Sequence, residues 1–358
     1  MNYEGRIEKV RSALNGLEAD ALLVTHLPNV AYLTGFTGSN GQILVWDSGA
    51  VFLSDGRYRA RAHSLVKGAE VEIYDTKLMN SLPGRLAAAG VTRLAFEAGS
   101  MTVRERDENA KALEGVELVP SSNVVEDMRR TKEPGEIELI QEAVRIGDEA
   151  FTWILDRIVP GAVERGLALD LEVYMRRHGA EAISFDPIVG SGPLSAHIHH
   201  TPSDRQLEKG DLVLLDFGAR YNGYCSDLTR TVVIGPATDE QRDLYALVLA
   251  AQAAGIEAIR AGVTGVDADA AAREVMTEGG RGDVFNHGLG HGVGLEIHED
   301  PRLHRISKDT LRAGDVVTVE PGGYLADWGG VRIEDCVLVT DEGARVLGSA
   351  PKDTLIEL

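Results

Sequence analysis

Residues 211–235 read DLVLLDFGARYNGYCSDLTRTVVIG. VLLDFG and CSDLTRTVVIG are apolar, strand-like runs, and each contains one acidic residue, Asp216 and Asp227. GARYNGY between them can reverse the chain, so the two runs are expected to pair as a β-hairpin that brings the carboxylates together. Aspartate is poor in strands and almost never buried without a partner. Two of them in adjacent apolar strands therefore need an explanation.

The same anomaly recurs downstream. DVVTVEPGGY (315–324) ends an apolar run with Glu320 before Pro321, and GGVRIEDCVLVT (329–340) places Glu334 in mid-strand beside Asp335. A period of two puts Arg332, Glu334 and Cys336 on one face. Cys225 and Cys336 share strand parity with Asp227 and Glu334, and are expected as buried packing residues rather than ligands. NHGLGHGVGLEIHEDP (286–301) adds His287, His291 and His298 among glycines. A single acidic residue in an apolar strand usually faces solvent at an edge, and a lone histidine in a glycine-rich loop is ordinary surface chemistry. Four such carboxylates are harder to dismiss. Converging without cations, they would cost more than the roughly 5–15 kcal/mol that holds a domain together. Two divalent ions would remove that conflict.

Working outward, the chain reads as α/β with two domains. In the first part, residues 4–18 carry Ile7, Val10, Leu14 and Leu17 on one helical face. Strands are expected over 21–27, 42–47, 50–58, 70–75 and 93–97, with a helix over 81–90 ended by Gly90. Pro134 opens a helix whose apolar stripe is Ile137, Ile140, Ala143, Val144 and Ile146. The junction is placed at about 125, giving an N-terminal domain over 1–124 and a second over 125–358. Helices are expected over 163–178, 239–261 and 266–278, with strand-rich sequence from the mid-280s onward.

The 358-residue chain has 56 acidic and 36 basic residues, a formal charge of −20 and 5% aromatics. That field repels phosphate backbones and offers no stacking surface, which argues against nucleic-acid binding. The N-terminus lacks the apolar core of a signal peptide, and no stretch reaches the length of a membrane span. With only two cysteines, a disulfide framework is excluded and a cytoplasmic setting is expected.

TKEPGEIELIQEA, SFDPIVGSGPLSAHIHHTPSDR, LLDFGARYNGYCSDLTRT, HGLGHGVGLEIHEDP, VTVEPGGY and GVRIEDCVLVT together resemble the proline-specific pita-bread metallopeptidases, aminopeptidase P and prolidase. The resemblance covers nearly the whole chain. It implies a creatinase-like α/β N-terminal domain and a pita-bread catalytic domain. It places metal ligands at Asp216, Asp227, His291, Glu320 and Glu334. Asp227 and Glu334 would bridge two ions, with Asp216 on one and His291 and Glu320 on the other. Catalytic roles fall on Glu320, which would handle a proton, and on His298 and His199. Substrate binding falls on His199, His287, His298 and Arg332, with Arg332 also expected to orient carboxylates.

An oxygen-dominated ligand set with one imidazole suits manganese, with cobalt and zinc as alternatives. The resemblance implies short peptides with proline at the second position as substrates, and a homo-oligomer, a dimer. No dedicated clamp for a proline carboxylate is visible in the sequence; Arg57, Arg59 and Arg61 read as a solvated basic cluster. The expectation is thus an Xaa-Pro aminopeptidase. A strict Xaa-Pro dipeptidase is the first alternative, and a non-catalytic peptide-binding protein the second.

Overall fold

The computed structural model describes all 358 residues, and the chain separates into two compact units, Met1–Arg129 and Arg130–Leu358. No helix is long and apolar enough to cross a membrane.

The first unit is built on a six-stranded mixed sheet. Its strands lie in the order Glu70–Tyr74, Gly49–Asp55, Gln42–Trp46, Ala21–Val24, Arg93–Glu97 and Glu117–Ser121. Ala21–Val24 runs antiparallel to Gln42–Trp46 and parallel to Arg93–Glu97. The first helix, Tyr3–Leu17, buries Ile7, Val10 and Leu14 as the spacing predicts. The strand expected over 21–27 stops at Val24, and Leu27–Thr34 is a helix instead. Pro28 sits in its first turn, where a missing N–H costs nothing. A further helix, Val103–Ala112, was not anticipated because it is polar throughout; Thr102 and Glu105 start it with a reciprocal capping box.

The second unit contains two helix pairs, each covering one face of a sheet. Pro134–Ile154 and Glu164–Arg177 pack on Ile188–Ser191, Leu212–Phe217 and Leu228–Val233, burying Phe151, Leu171 and Met175 against Val213, Leu215 and Phe217. Asp239–Ala258 and Gly265–Glu278 pack on Val316–Val319 and Asp335–Val339, burying Val248, Ala272 and Met276 against Val317, Val319 and Val337. Because Val213, Leu215 and Phe217 face the first helix pair, Asp216 faces the other way by strand alternation. That parity aims it between the two helix-backed layers.

The expected hairpin forms, and it is kinked. Leu212–Phe217 pairs antiparallel with Leu228–Val233, and the same register continues through Arg220↔Cys225 to a turn at Asn222 and Gly223, both left-handed, with φ 46° and 89°. The bend lies at Gly218, where a Cβ would sit 1.9 Å from the Ser226 carbonyl oxygen. Only glycine permits that approach, and the bend leaves Asp227 just ahead of the strand Leu228–Val233. Asp216 pairs with Thr229, so Asp216, Thr229 and Asp227 share one face.

Glu334 is not in mid-strand as expected. The run divides into Gly329–Arg332, paired with Gly322–Leu325, and Asp335–Val339, paired with Val316–Val319. Glu334 lies in the break between two sheets. Its backbone N–H donates to the Thr229 carbonyl across the gap (3.1 Å).

Candidate metal centre

Asp216, Asp227, His287, His291, His298, His199, Glu320, Arg332 and Glu334 all line one cavity of about 900 Å³. Five separate segments supply them, so the convergence is a product of the fold.

Short bonds hold the carboxylates of Asp216, Glu320 and Glu334. Thr229 Oγ1 donates to Glu334 Oε2 at 2.6 Å, and Arg332 Nε donates to the same hydroxyl at 3.1 Å. The Arg332 guanidinium ion-pairs with Asp216 Oδ2 and donates to Tyr324 Oη at 2.8 Å. Thr318 Oγ1 donates to Glu320 Oε1 at 3.1 Å and accepts from the His291 backbone N–H at 3.0 Å. Asp216 Oδ1, Asp227 Oδ1 and Glu334 Oε1 are buried without any hydrogen-bond partner. Buried acceptors are almost always satisfied in native proteins, so three orphans in one cluster mark missing positive charge.

The ionisation of these groups agrees. Burial pushes Asp227 well above the usual carboxylate range, and the charges of Glu334 and Asp216 push it further. Burial does the same to Glu334, with Glu320 and Asp216 adding to it. Burial also drives Glu320 up to about 7. Divalent cations would reverse all three shifts, because they favour the charged form of each carboxylate.

His291 supplies a nitrogen of the right kind. Burial lowers its pKa to about 3, so the ring is neutral. Its Nδ1 lies 3.0 Å from the Gly292 carbonyl oxygen and must donate to it. The lone pair is therefore on Nε2, which lies 3.7 Å from Asp227 Oδ2 and 3.4 Å from Glu320 Oε1. Ligand atoms of Asp227, His291 and Glu334 all fall within 4.8 Å of one another. Four carboxylates and an imidazole, with three carboxylate oxygens orphaned, fit hard or borderline divalent cations. Both cysteines are free and buried, and Cys336 Sγ contacts the Asp227 carbonyl oxygen at 3.4 Å.

The histidines divide by how their nitrogens are engaged. His287 Nδ1 donates to the Gly288 carbonyl oxygen at 2.8 Å, and its Nε2 is 2.9 Å from Tyr324 Oη. Arg332 already donates to that oxygen, so the tyrosine proton goes to Nε2 and the ring is neutral, consistent with burial lowering its pKa to about 3. His287 thus braces Tyr324 and Arg332. His298 lies edge-to-face on His291 with centroids 4.4 Å apart, and neither it nor exposed His199 hydrogen-bonds another residue.

Several participants escaped the sequence reading. Thr229 and Thr318 stand two residues from Asp227 and Glu320, and strand alternation could have singled them out. Tyr324 carries no such signal, because it lies beyond Pro321 on a different sheet. Arg230 is buried and uses all five N–H groups. It donates to the carbonyls of Thr229, Glu334, Ala350 and Pro351 and to Asp335, fixing the break that carries Glu334. Arg302 and Lys308 also line the cavity and are its only cationic side chains besides Arg332.

Fold and site together define a metal-dependent hydrolytic centre in a two-domain α/β chain. Residues 138–341 match metallopeptidase family M24, and residues 6–131 match the creatinase/prolidase N-terminal domain. The chain belongs to metallopeptidase family M24. A solved Xaa-Pro dipeptidase from Bacillus anthracis superposes with a TM-score of 0.97 at 41% identity, covering 100% of both chains. The Xaa-Pro dipeptidase of Pyrococcus horikoshii is 35% identical over 98% of each chain. An X-Pro aminopeptidase structure from Thermotoga maritima superposes with a TM-score of 0.92 at 34% identity, covering 97% of this chain and 100% of that one.

Proposed function

We propose that this chain is an Xaa-Pro dipeptidase that uses two divalent ions, manganese first among the candidates, to release an N-terminal residue from proline. Arg302 carries the choice of dipeptidase. The aminopeptidase expectation rested on the absence of any visible carboxylate clamp, and this guanidinium lines the cavity. Its ion pair with Asp300 is long, at 3.8 Å. Its positive charge also acts on His291, His298 and Glu320, as expected of a cation near the metal centre. A dipeptide's terminal carboxylate, otherwise costly to desolvate, finds a bidentate partner there. The similarity to the Xaa-Pro dipeptidases of Bacillus anthracis and Pyrococcus horikoshii supports the same choice.

Asp216, Asp227, His291, Glu320 and Glu334 would hold the ions, with Asp227 and Glu334 between them. Bound there, the ions supply Lewis acidity at the scissile carbonyl and a water acidic enough to attack it near neutral pH. Glu320 is the proton-handling group, since its carboxylate lines the cavity beside the other residues that would hold the ions, within reach of a water attacking there. His298 and His199 offer unengaged ring nitrogens to the substrate. Arg332 anchors Asp216 and Thr229, and through Thr229 steadies Glu334. An amide to proline has no N–H, so the site needs no acceptor for one.

Hydrolysis of Ala-Pro, Ala-Pro-Ala and Ala-Ala with manganese, cobalt and zinc supplied separately is the test. Turnover confined to Ala-Pro is expected. Release of alanine from Ala-Pro-Ala with undiminished kcat/KM would restore the aminopeptidase reading, for which the Thermotoga maritima structure is the specific support. Equal cleavage of Ala-Ala would remove the proline specificity.

A further inference from the structure

His199 lines the cavity with an exposed side chain that hydrogen-bonds no other residue. Its position is therefore set entirely by the backbone on either side. That backbone, on the C-terminal side, is gathered onto one carboxylate.

Glu164, the first residue of the helix Glu164–Arg177, is 0% exposed. Oε2 accepts from His200 Nε2 at 2.9 Å, from the Ser203 N–H at 3.0 Å and from Ser203 Oγ at 2.7 Å. Oε1 accepts from the Ser191 N–H at 2.8 Å and from Ser191 Oγ at 2.6 Å. Five donors leave no lone pair for water, and the helix N-terminus favours the negative charge further. Ser191 is tied in turn by Arg205 Nη1 at 2.6 Å, whose guanidinium pairs with Asp211. Arg165 N–H donates to the Ser203 carbonyl oxygen at 3.1 Å, so the helix start and the segment grip each other twice.

We propose that Glu164 is the positioning residue for His199: it clamps residues 200–203 to the strand end at Ser191 and so fixes where the imidazole stands over the metal centre. His200, although it lines the same cavity, is spent on this clamp and does not meet substrate. The inference rests on the role given above to His199. It goes beyond that role in assigning the substrate contact's geometry to a residue outside the cavity. A buried carboxylate with five donors suits this task, because replacing it leaves those donors unsatisfied and forces the segment to rearrange.

Glu164→Gln keeps the size and removes the charge, turning an NH₂ toward donors. Hydrogen exchange of the peptide covering 197–203 should then accelerate at least about tenfold, with the strands Leu212–Phe217 and Leu228–Val233 unchanged. On Ala-Pro, kcat/KM should fall about 10- to 100-fold, the scale of a misplaced contact. In a His199→Ala background the same substitution should change kcat/KM less than about twofold, because the contact it positions is already gone. Unchanged exchange at 197–203, or equal losses in both backgrounds, overturns the proposal. If Glu164→Gln does not fold, Ser203→Ala removes one donor to the same carboxylate and is judged by the same measurements. Exchange does not depend on turnover. A wild-type enzyme inactive on every Xaa-Pro peptide would sink the proposed function, while the exchange result would still decide the clamp.

Discussion

His291 Nε2 stands 3.4 Å from Glu320 Oε1, and the backbone explains why. The His291 strand pairs with Val316–Val319 through Gly292↔Val317, and the Glu320 N–H donates to the Leu289 carbonyl oxygen at 2.8 Å. The imidazole and the carboxylate are thus delivered to one point by neighbouring strands of one sheet. Asp216 and Asp227 reach the same cavity from the kinked hairpin.

Under the proposed function, metal binding should depend most on Asp227 and Glu334, the residues proposed to stand between the ions. Asp227→Asn and Glu334→Gln are expected to weaken manganese binding by more than the roughly 10–100-fold that loss of an outer hydrogen-bond partner costs. Thr229→Val, which removes the donor to Glu334, should fall within that range. Titration calorimetry with metal analysis measures both, and the wild type should take up two equivalents. Saturation at one with full activity would dispose of the dinuclear reading.

Stability of the metal-free protein should fall as pH rises. Glu320 is pushed by burial from an ordinary 4.5 up to about 7, and Asp227 and Glu334 move in the same direction. The folded chain then holds protons that the unfolded chain releases. This stabilising contribution is complete below pH 4.5 and is lost as pH climbs through 7. Chelated protein should therefore show a lower Tm at pH 8 than at pH 5.5. Added divalent ion should raise the pH 8 value most, because it needs the ionised carboxylates. A Tm that climbs with pH in chelator would contradict this account.

His298→Ala should leave the fold and the bound metal intact, since the residue is exposed and its ring makes no hydrogen bond to the chain. Turnover should drop by about 10²-fold or more, the usual scale for a group acting on the transition state. Normal kcat with a lowered Tm would make it a packing residue of His291 and nothing more.

Arg302→Leu should reduce kcat/KM on Ala-Pro by roughly 10–100-fold, as expected for losing a hydrogen bond to a charged group. The loss should appear mainly in KM. On a dipeptide amide, which lacks the terminal charge, the substitution should have little effect. Equal losses on both substrates would place Arg302 outside carboxylate recognition.

Much of this protein was legible along the chain. Acidic residues interrupting apolar strands at Asp216, Asp227, Glu320 and Glu334 signal a charge conflict, because burying carboxylates without cations is prohibitively unfavourable. Helical spacing from Ile140 to Ile146 and the capped helix starts at Thr238 and Thr264 are local, so they could be read without the fold. The helix Leu27–Thr34 could not be read, because its short apolar run looks the same as strand until tertiary packing chooses.

What required the folded molecule is everything that depends on separate segments meeting. The break at Glu334 arises because Gly329–Arg332 and Asp335–Val339 join different sheets, a choice made by distant partners. The neutral form of His287 follows only once Tyr324, Arg332 and the Gly288 carbonyl surround it. Arg302 and Glu164 carry no pattern of their own in the sequence. One is an arginine in a charged stretch, the other an acid at a helix start, and each gains its significance from what stands across from it. Sequence alone determined which chemistry this chain must accommodate, since residue type and strand parity are local. Which atoms hold, orient and exclude was decided by tertiary structure, because hydrogen bonds and charges act through space.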